Sequence, residues 1–292
     1  MSLTLTFHTR WISNRLFFVK WSLSSKIFLF NAYFCLFACF KKILSPNCTH
    51  IKNHGGLKKA IRFLKKSLYP GYFFARFDIQ SYYRSMDHKV LLKILHKNST
   101  PIGLTRVISL YAKSAGFRGI PAGGALSPLL GAIYLDPLDK EMDFLSKQNK
   151  IVYIRYMDDY VLVARSRWHL KKAIKRMYQT ITRLNLVVHP DKKMIGRVEK
   201  GIHFLGYSFH PKRQLRASPE ALTRFTQHIS RLYEQGASAT MLWQYTERWS
   251  SWLFGGVADL VSHQGGTKRY FYTALKRSGI RNIKRPMSTG FT

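Results

Sequence analysis

Ile151-Val152-Tyr153-Ile154-Arg155-Tyr156-Met157-Asp158-Asp159-Tyr160-Val161-Leu162-Val163-Ala164 sets two adjacent aspartates between two runs of strand-forming residues. β-Branched and aromatic side chains suit a half-buried pleated surface, so the pattern predicts a hairpin with the acidic pair at its turn. The chain has only 14 acidic residues against 48 basic ones among its 292, so carboxylates placed side by side at an apolar hairpin tip need a reason. Desolvating two like charges is costly unless cations compensate, and hard divalent ions prefer oxygen ligands. From these residues alone a second reading stays open, an ordinary polar turn in which aspartate is common.

Two upstream segments bear on the choice. Tyr72-Phe73-Phe74-Ala75-Arg76-Phe77-Asp78-Ile79-Gln80-Ser81-Tyr82-Tyr83 reads as an apolar strand that delivers one carboxylate at its end. Gly119-Ile120-Pro121-Ala122-Gly123-Gly124-Ala125-Leu126-Ser127-Pro128-Leu129-Leu130 reads as a glycine-rich loop opening a helix, with Ser127 as N-cap and Pro128 as first helical residue. In this order and spacing, the strand-end Asp, the Gly-Gly loop and the Tyr-x-Asp-Asp hairpin resemble the palm of reverse transcriptases. The resemblance continues through His189-Pro190-Asp191-Lys192-Lys193, similar to the lysine-bearing loop after the palm helix, and Phe204-Leu205-Gly206-Tyr207, similar to the primer-grip turn. It covers roughly residues 45 to 255. Ser127-Pro128-Leu129-Leu130 and Phe204-Leu205-Gly206-Tyr207 are most similar to the group II intron-like and related bacterial retroelement branch.

The resemblance implies an α+β right-hand polymerase with an antiparallel-sheet palm, partial fingers and a helical thumb. Its expected divisions are an atypical amino terminus (1–44), fingers and palm (45–215), thumb (216–255) and a basic tail (256–292). The implied activity is RNA-directed DNA polymerisation, with an RNA template, a DNA or RNA primer, deoxynucleoside triphosphates and two Mg2+ ions. Asp78 and Asp158 would hold the ions, assisted by Asp159, and the Ile79 carbonyl would complete one coordination sphere. Because the chemistry is an in-line displacement at phosphorus, catalysis would come from positioning and charge neutralisation, with no protein nucleophile.

By the same resemblance Lys192 would balance the departing pyrophosphate, and Tyr83 would exclude a 2′-hydroxyl. A surface lysine and a core tyrosine are the competing readings. Gly123 and Gly124, flanked by Pro121 and Ser127, would let the backbone approach nucleotide and template, unless they only make a turn. Lys52 stands where relatives carry Arg. Three departures from the family pattern stand out: Ala122 replaces a usual Gln, Arg84 replaces a usual Asp, and no Arg/Lys-bearing fingers hairpin is recognisable in residues 1 to 44. Impaired nucleotide binding is the expectation from the last of these.

A formal net charge of +34 fits a polyphosphate partner, since basic surfaces gain from counterion release. At 46% hydrophobic the chain can bury a real core, which argues against disorder. Cys35, Cys39 and Cys48 suggest no disulfide framework, so a reducing, cytoplasmic setting is expected. With His50 and His54 nearby they also lack the tight Cys-x2-Cys spacing of zinc modules and read as packing and surface groups. Ile27 to Phe40 is almost continuously apolar but, at 14 residues, short of the ~20 of a membrane span, and a buried helix is the leading reading. Two alternatives from other classes remain: an RNA-binding maturase-like or decayed retroelement protein, and a membrane-tethered nucleic-acid-binding protein. Elsewhere helices are expected over Val90 to Tyr111, Leu129 to Leu145, Trp168 to Leu184, from Ser218-Pro219 to near Gly236, and over Met241 to Leu253.

Overall fold

The computed structural model describes residues 7–12, 16–262, 272, 273 and 276. Two compact units divide the chain: residues 1–63 with 71–197, and residues 64–70 with 198–292.

The first unit opens with β1 (Phe7–Ile12) and β2 (Leu16–Trp21), an antiparallel pair that sets Arg10 opposite Phe18 and His8 opposite Lys20. This corrects the expectation that residues 1 to 44 hold no basic hairpin. Aromatic residues on both strand parities hid the period-two signal there. Next comes α1 (Leu23–Phe40), whose N-cap Ser22 accepts the Ser25 N–H at 3.2 Å. It is long and apolar enough to cross a membrane by length and composition. One stripe of it, Leu29, Ala32, Leu36 and Phe40, is nevertheless built into the core, while Leu23, Ile27, Phe30 and Phe34 stay exposed.

After α2 (Gly56–Lys66) the chain enters β3 (Phe73–Phe77), then a helical turn, α3 (Tyr82–Ser85). The helix expected from Val90 to Tyr111 is two, α4 (His88–Lys97) and α5 (Ile102–Lys113). Ser99 at φ +52° and Pro101 interrupt it, because a left-handed residue and a ring without an N–H both break the i→i−4 ladder. The helix expected from Leu129 to Leu145 is likewise α6 (Ser127–Tyr134) and α7 (Asp136–Lys147). Pro137 explains the break at Leu135: it offers no amide and its ring crowds the carbonyl four residues back. The chain then forms β4 (Val152–Tyr156), β5 (Asp159–Ala164), α8 (Arg167–Arg183), a 3-10 turn at Pro190–Lys192, and β6 (Met194–Arg197).

Strand order is β4-β5-β3-β6, every pairing antiparallel. Helix α8 lays Leu170, Ala173, Met177 and Ile181 into the core, and it packs against β3 and β5. Each large apolar side chain so buried contributes about 1.5–3 kcal/mol, which fixes the two carboxylate-bearing strands against a rigid backing.

In the second unit β7 (Ile202–Phe204), β8 (Tyr207–His210) and β9 (Arg213–Ala217) form an antiparallel meander, followed by α9 (Pro219–Glu234) and α10 (Ala239–Phe254). Ser218 caps α9 by accepting the Ala221 N–H at 3.2 Å, with Pro219 at the first helical position. The two helices meet through Phe225, Ile229 and Leu242, and Phe225 also stacks on Tyr245 with centroids 5.7 Å apart.

Candidate active site

Strand β3 ends at Phe77 and hands Asp78 to the end of the sheet, where its side chain is 13% exposed. The next residues run beside the segment before the 3-10 turn. His189 N–H donates to the Asp78 carbonyl at 2.8 Å, and Gln80 N–H to the Val187 carbonyl at 2.9 Å. Ile79 and Val188 therefore face each other as a pair outside the hydrogen bonds, which leaves the Ile79 carbonyl directed away from this ladder. The same turn carries Lys192, whose Nζ donates to Asp78 Oδ2 at 2.9 Å.

Neighbouring β5 begins directly after the hairpin turn. Tyr156 pairs with Asp159, so Met157 and Asp158 are the two turn residues. Asp159 is gripped by Arg76 on β3: Nε donates to Oδ1 at 2.9 Å and the second fork nitrogen to Oδ2 at 2.7 Å. Such a fork is directional and strong. Burial, against the opposing pull of Arg76, still raises the Asp159 carboxyl to about 6. Asp158 has no such clamp, and it forms no ion pair within 4 Å among the described residues. Burial first, then the charge of Asp78, pushes its carboxyl upward.

The site is thus short of positive charge: three carboxylates meet two cationic side chains. No cluster of three acidic, His or Cys side chains suited to a metal occurs among the described residues. What the geometry offers is two carboxylates with open oxygens, Asp78 and Asp158, plus an unpaired carbonyl. Hard oxygen donors in that number suit Mg2+, which commonly takes one or two carboxylates and fills its sphere with water and substrate phosphate. The residues fit the ion.

Tyr83 also belongs to this neighbourhood. Its ring lies against Tyr82 with centroids 5.6 Å apart and touches Gly131, and its hydroxyl is held protonated by burial and by the charge of Asp158. The glycine-rich loop follows the same surface. Gly119 N–H donates to the Met86 carbonyl at 2.8 Å, and Ile120 N–H to the Tyr83 carbonyl at 2.8 Å. At φ +87° a Cβ on Gly119 would stand 2.9 Å from the backbone of Tyr83 and Arg84, so only glycine fits. Gly124 is pressed under the Tyr111 hydroxyl, and Gly123 has φ +73°. Ser127 was expected as an N-cap, but that place belongs to Leu126. Its hydroxyl instead bonds the Pro121 carbonyl and the Tyr111 hydroxyl, 2.6 Å away, folding the loop back on itself.

A family model described as "Reverse transcriptase (RNA-dependent DNA polymerase)" matches residues 35–209, a span that contains every group just described. The chain belongs to the reverse transcriptase family. Protein YkfC of Escherichia coli K12 is 24% identical to this chain over 210 residues, 57% of the chain and 54% of YkfC. Apo telomerase from Candida tropicalis superposes with a TM-score of 0.53 at 12% identity over 87% of this chain and 51% of its own. Telomerase from Candida albicans, solved with a TWJ fragment of telomeric RNA, gives 0.52 at 13% identity over 84% and 47%. The fold is therefore that of right-hand polymerases, and the chain spans about half the length of these relatives.

Two further expected site groups belong to other elements. Lys52 sits over the Phe34 ring of α1, 5.9 Å from its centroid. Phe204, Leu205, Gly206 and Tyr207 make the β7–β8 turn of the second unit, where Leu205 and Gly206 take φ +49° and +82° and the Tyr207 hydroxyl donates to the Leu253 carbonyl at 2.7 Å. Conversely, three side chains that the sequence reading passed over prove to be placed here: Arg76, Arg155 and His50. Arg76 was legible in principle, since a cation on the face of β3 that also reaches the hairpin must find a carboxylate. His50 was weighed with His54 and the cysteines only as a zinc ligand and read as a packing or surface group, since nothing local ties it to the distant hairpin.

Proposed function

We propose that the chain is an RNA-directed DNA polymerase that adds deoxynucleotides to a primer 3′-hydroxyl on an RNA template, with two Mg2+ ions held by Asp78, Asp158 and the Ile79 carbonyl. The observation that carries this reading is the carboxylate pair at the end of β3 and the β4–β5 turn, served by the single ammonium of Lys192. Bound there, the cations would lower the pKa of the attacking hydroxyl and neutralise the triphosphate. Asp159, tied to Arg76, holds β5 to β3 beside the two ligands. Lys192 places its ammonium on Asp78, and with cations on that carboxylate it would be free to balance the charge of the departing pyrophosphate. Tyr83 walls the sugar's 2′ side, and Gly119 to Ser127 form a rigid loop against which nucleotide and template are placed. Membership of the group II intron-like branch is part of this proposal, supported by Ser127-Pro128-Leu129-Leu130 and by the Phe204 to Tyr207 turn. A cytoplasmic setting is proposed from the three free thiols, of which burial raises that of Cys48 to about 12. Primer extension by the purified chain on an RNA template with Mg2+ tests it. Deoxynucleotide incorporation that stops on chelation is expected; no product with either Mg2+ or Mn2+ would overturn the reading.

A further inference from the structure

The residue preceding Asp158 is held in a conformation that its own chemistry disfavours. Met157 has φ +57° at the first position of a two-residue hairpin turn, a place usually left to glycine. A side chain there costs about 1–3 kcal/mol and persists only when its surroundings over-determine it.

Both backbone polar groups of Met157 are taken by side chains. Its carbonyl accepts from Arg155 Nη1 at 2.8 Å, and its N–H donates to Nδ1 of His50 at 3.0 Å. Arg155 is fully buried and anchored by Asp139, with Nε on Oδ1 at 2.7 Å and a second bond to Oδ2. His50 is anchored on its far side, where Nε2 meets the Pro128 carbonyl of α6 at 3.2 Å. Because Nδ1 must accept, the proton resides on Nε2, so one neutral tautomer satisfies both contacts. Burial, reinforced by the charge of Arg155, lowers the imidazole to about 3 and keeps it in that state. The segment carrying His50 is itself laced to β4: Arg155 N–H donates to the Asn47 carbonyl at 2.9 Å, and Thr49 N–H to the Arg155 carbonyl at 2.9 Å.

We infer that His50 is a positioning residue. It locks the Met157 turn so that Asp158 stands beside Asp78, and through Pro128 it couples that turn to the start of the helix behind the glycine-rich loop. The functional half of this inference rests on the reading of Asp158 as a metal ligand; the lock itself does not.

The test compares His50→Ala, His50→Asn and His50→Gln in the full chain. An Asn amide oxygen falls near the position of Nδ1, whereas Gln reaches toward Nε2. For His50→Ala, kcat for primer extension should drop on the order of ten- to a hundredfold with the deoxynucleotide KM within about threefold, as loss of a transition-state geometry requires. His50→Asn should recover most of that loss and His50→Gln should not. In the metal-free protein without substrates, exchange of the Met157 amide should accelerate by about tenfold or more in His50→Ala, stay slow in His50→Asn, and leave the β3 amides unchanged. Unaltered Met157 exchange in His50→Ala, or an Asn variant no better than Ala in either assay, overturns the inference. If the wild-type chain extends no primer, the polymerase reading fails while the exchange measurement still decides the lock.

Discussion

Asp139 and Asp158 are aspartates of the same unit, and their surroundings differ in one respect that separates scaffold from site. Asp139 is sealed from solvent and both its oxygens are partnered, Arg155 forking onto it and the Tyr153 hydroxyl donating to it, although burial still pushes its carboxyl upward. Burial opposes the charge on Arg155, but the carboxylate outweighs it and holds the guanidinium well above its usual range. Asp158 is only half-buried, and yet its charge is poorly served, with Asp78 nearby and the closest ammonium committed to that residue. A buried pair that closes on itself has nothing left to bind. A pair of like charges that the fold brings together and leaves unmatched stores an affinity for cations.

The comparison breaks first at Asp158. Asp158→Asn or Asp78→Asn should abolish extension, a loss of roughly four powers of ten or more in kcat, ~5 kcal/mol, while thermal melting and RNA retention on a filter stay near wild type. Substantial extension by either variant would make the carboxylates a polar turn after all. Arg155→Met should act in the opposite sense, costing about 3–5 kcal/mol in denaturant unfolding because Asp139 is left buried and alone. Adding Asp139→Leu to it should restore much of that stability without restoring extension, since the Met157 carbonyl still lacks its donor.

A third, smaller effect concerns pH. The Asp159 carboxyl is raised to about 6 in the folded chain, so folding favours its neutral form relative to the unfolded chain. A raised acid contributes its stability fully below the unfolded value near 3.8 and loses it as pH climbs to about 6. Between these limits the metal-free wild type should lose about 2–3 kcal/mol that Asp159→Asn does not lose, and Mg2+ should diminish the difference. Parallel pH profiles of the two proteins would show that Arg76 fully offsets the burial of Asp159. Smallest is Tyr83→Val, which removes only the proposed wall on the 2′ side of the sugar. Ribonucleotide incorporation relative to deoxynucleotide should rise by about ten- to a hundredfold, read from competing extension; unchanged discrimination assigns the ring to the core.

Much of this was legible in the residues. Alternation around Asp158 and the apolar run before Asp78 announced strands, because a half-buried sheet leaves a local period-two record. The stripe on α8 and the Ser218-Pro219 cap were equally local. The helix breaks at Ser99 to Pro101 and at Leu135 were readable too, had proline been weighted above the surrounding helical period. Other features leave no local trace. Ser127 looks like any cap, and its bonds to Pro121 and Tyr111 exist only once the loop has folded over α5. Arg76 gripping Asp159, and His50 reaching Met157, join residues far apart in the chain, and one sequence does not record such pairings. The amino-terminal hairpin was missed for another reason, since the consecutive Phe17-Phe18 breaks the period-two alternation in the sequence.

Strand β3 pairs with β5 and β6, never with a neighbour in the chain. Asp78 therefore waits for about eighty further residues before Asp158 exists to meet it, and longer still for Lys192. Pairings of such long sequence separation are slow to form, because loop closure must precede the contacts that reward it. During synthesis the strand that ends in Asp78 leaves the ribosome with unpaired edges on both sides, exposed to misassociation until the hairpin arrives. The proposed cation site is consequently completed late in folding, and its formation would report on completion of the whole sheet.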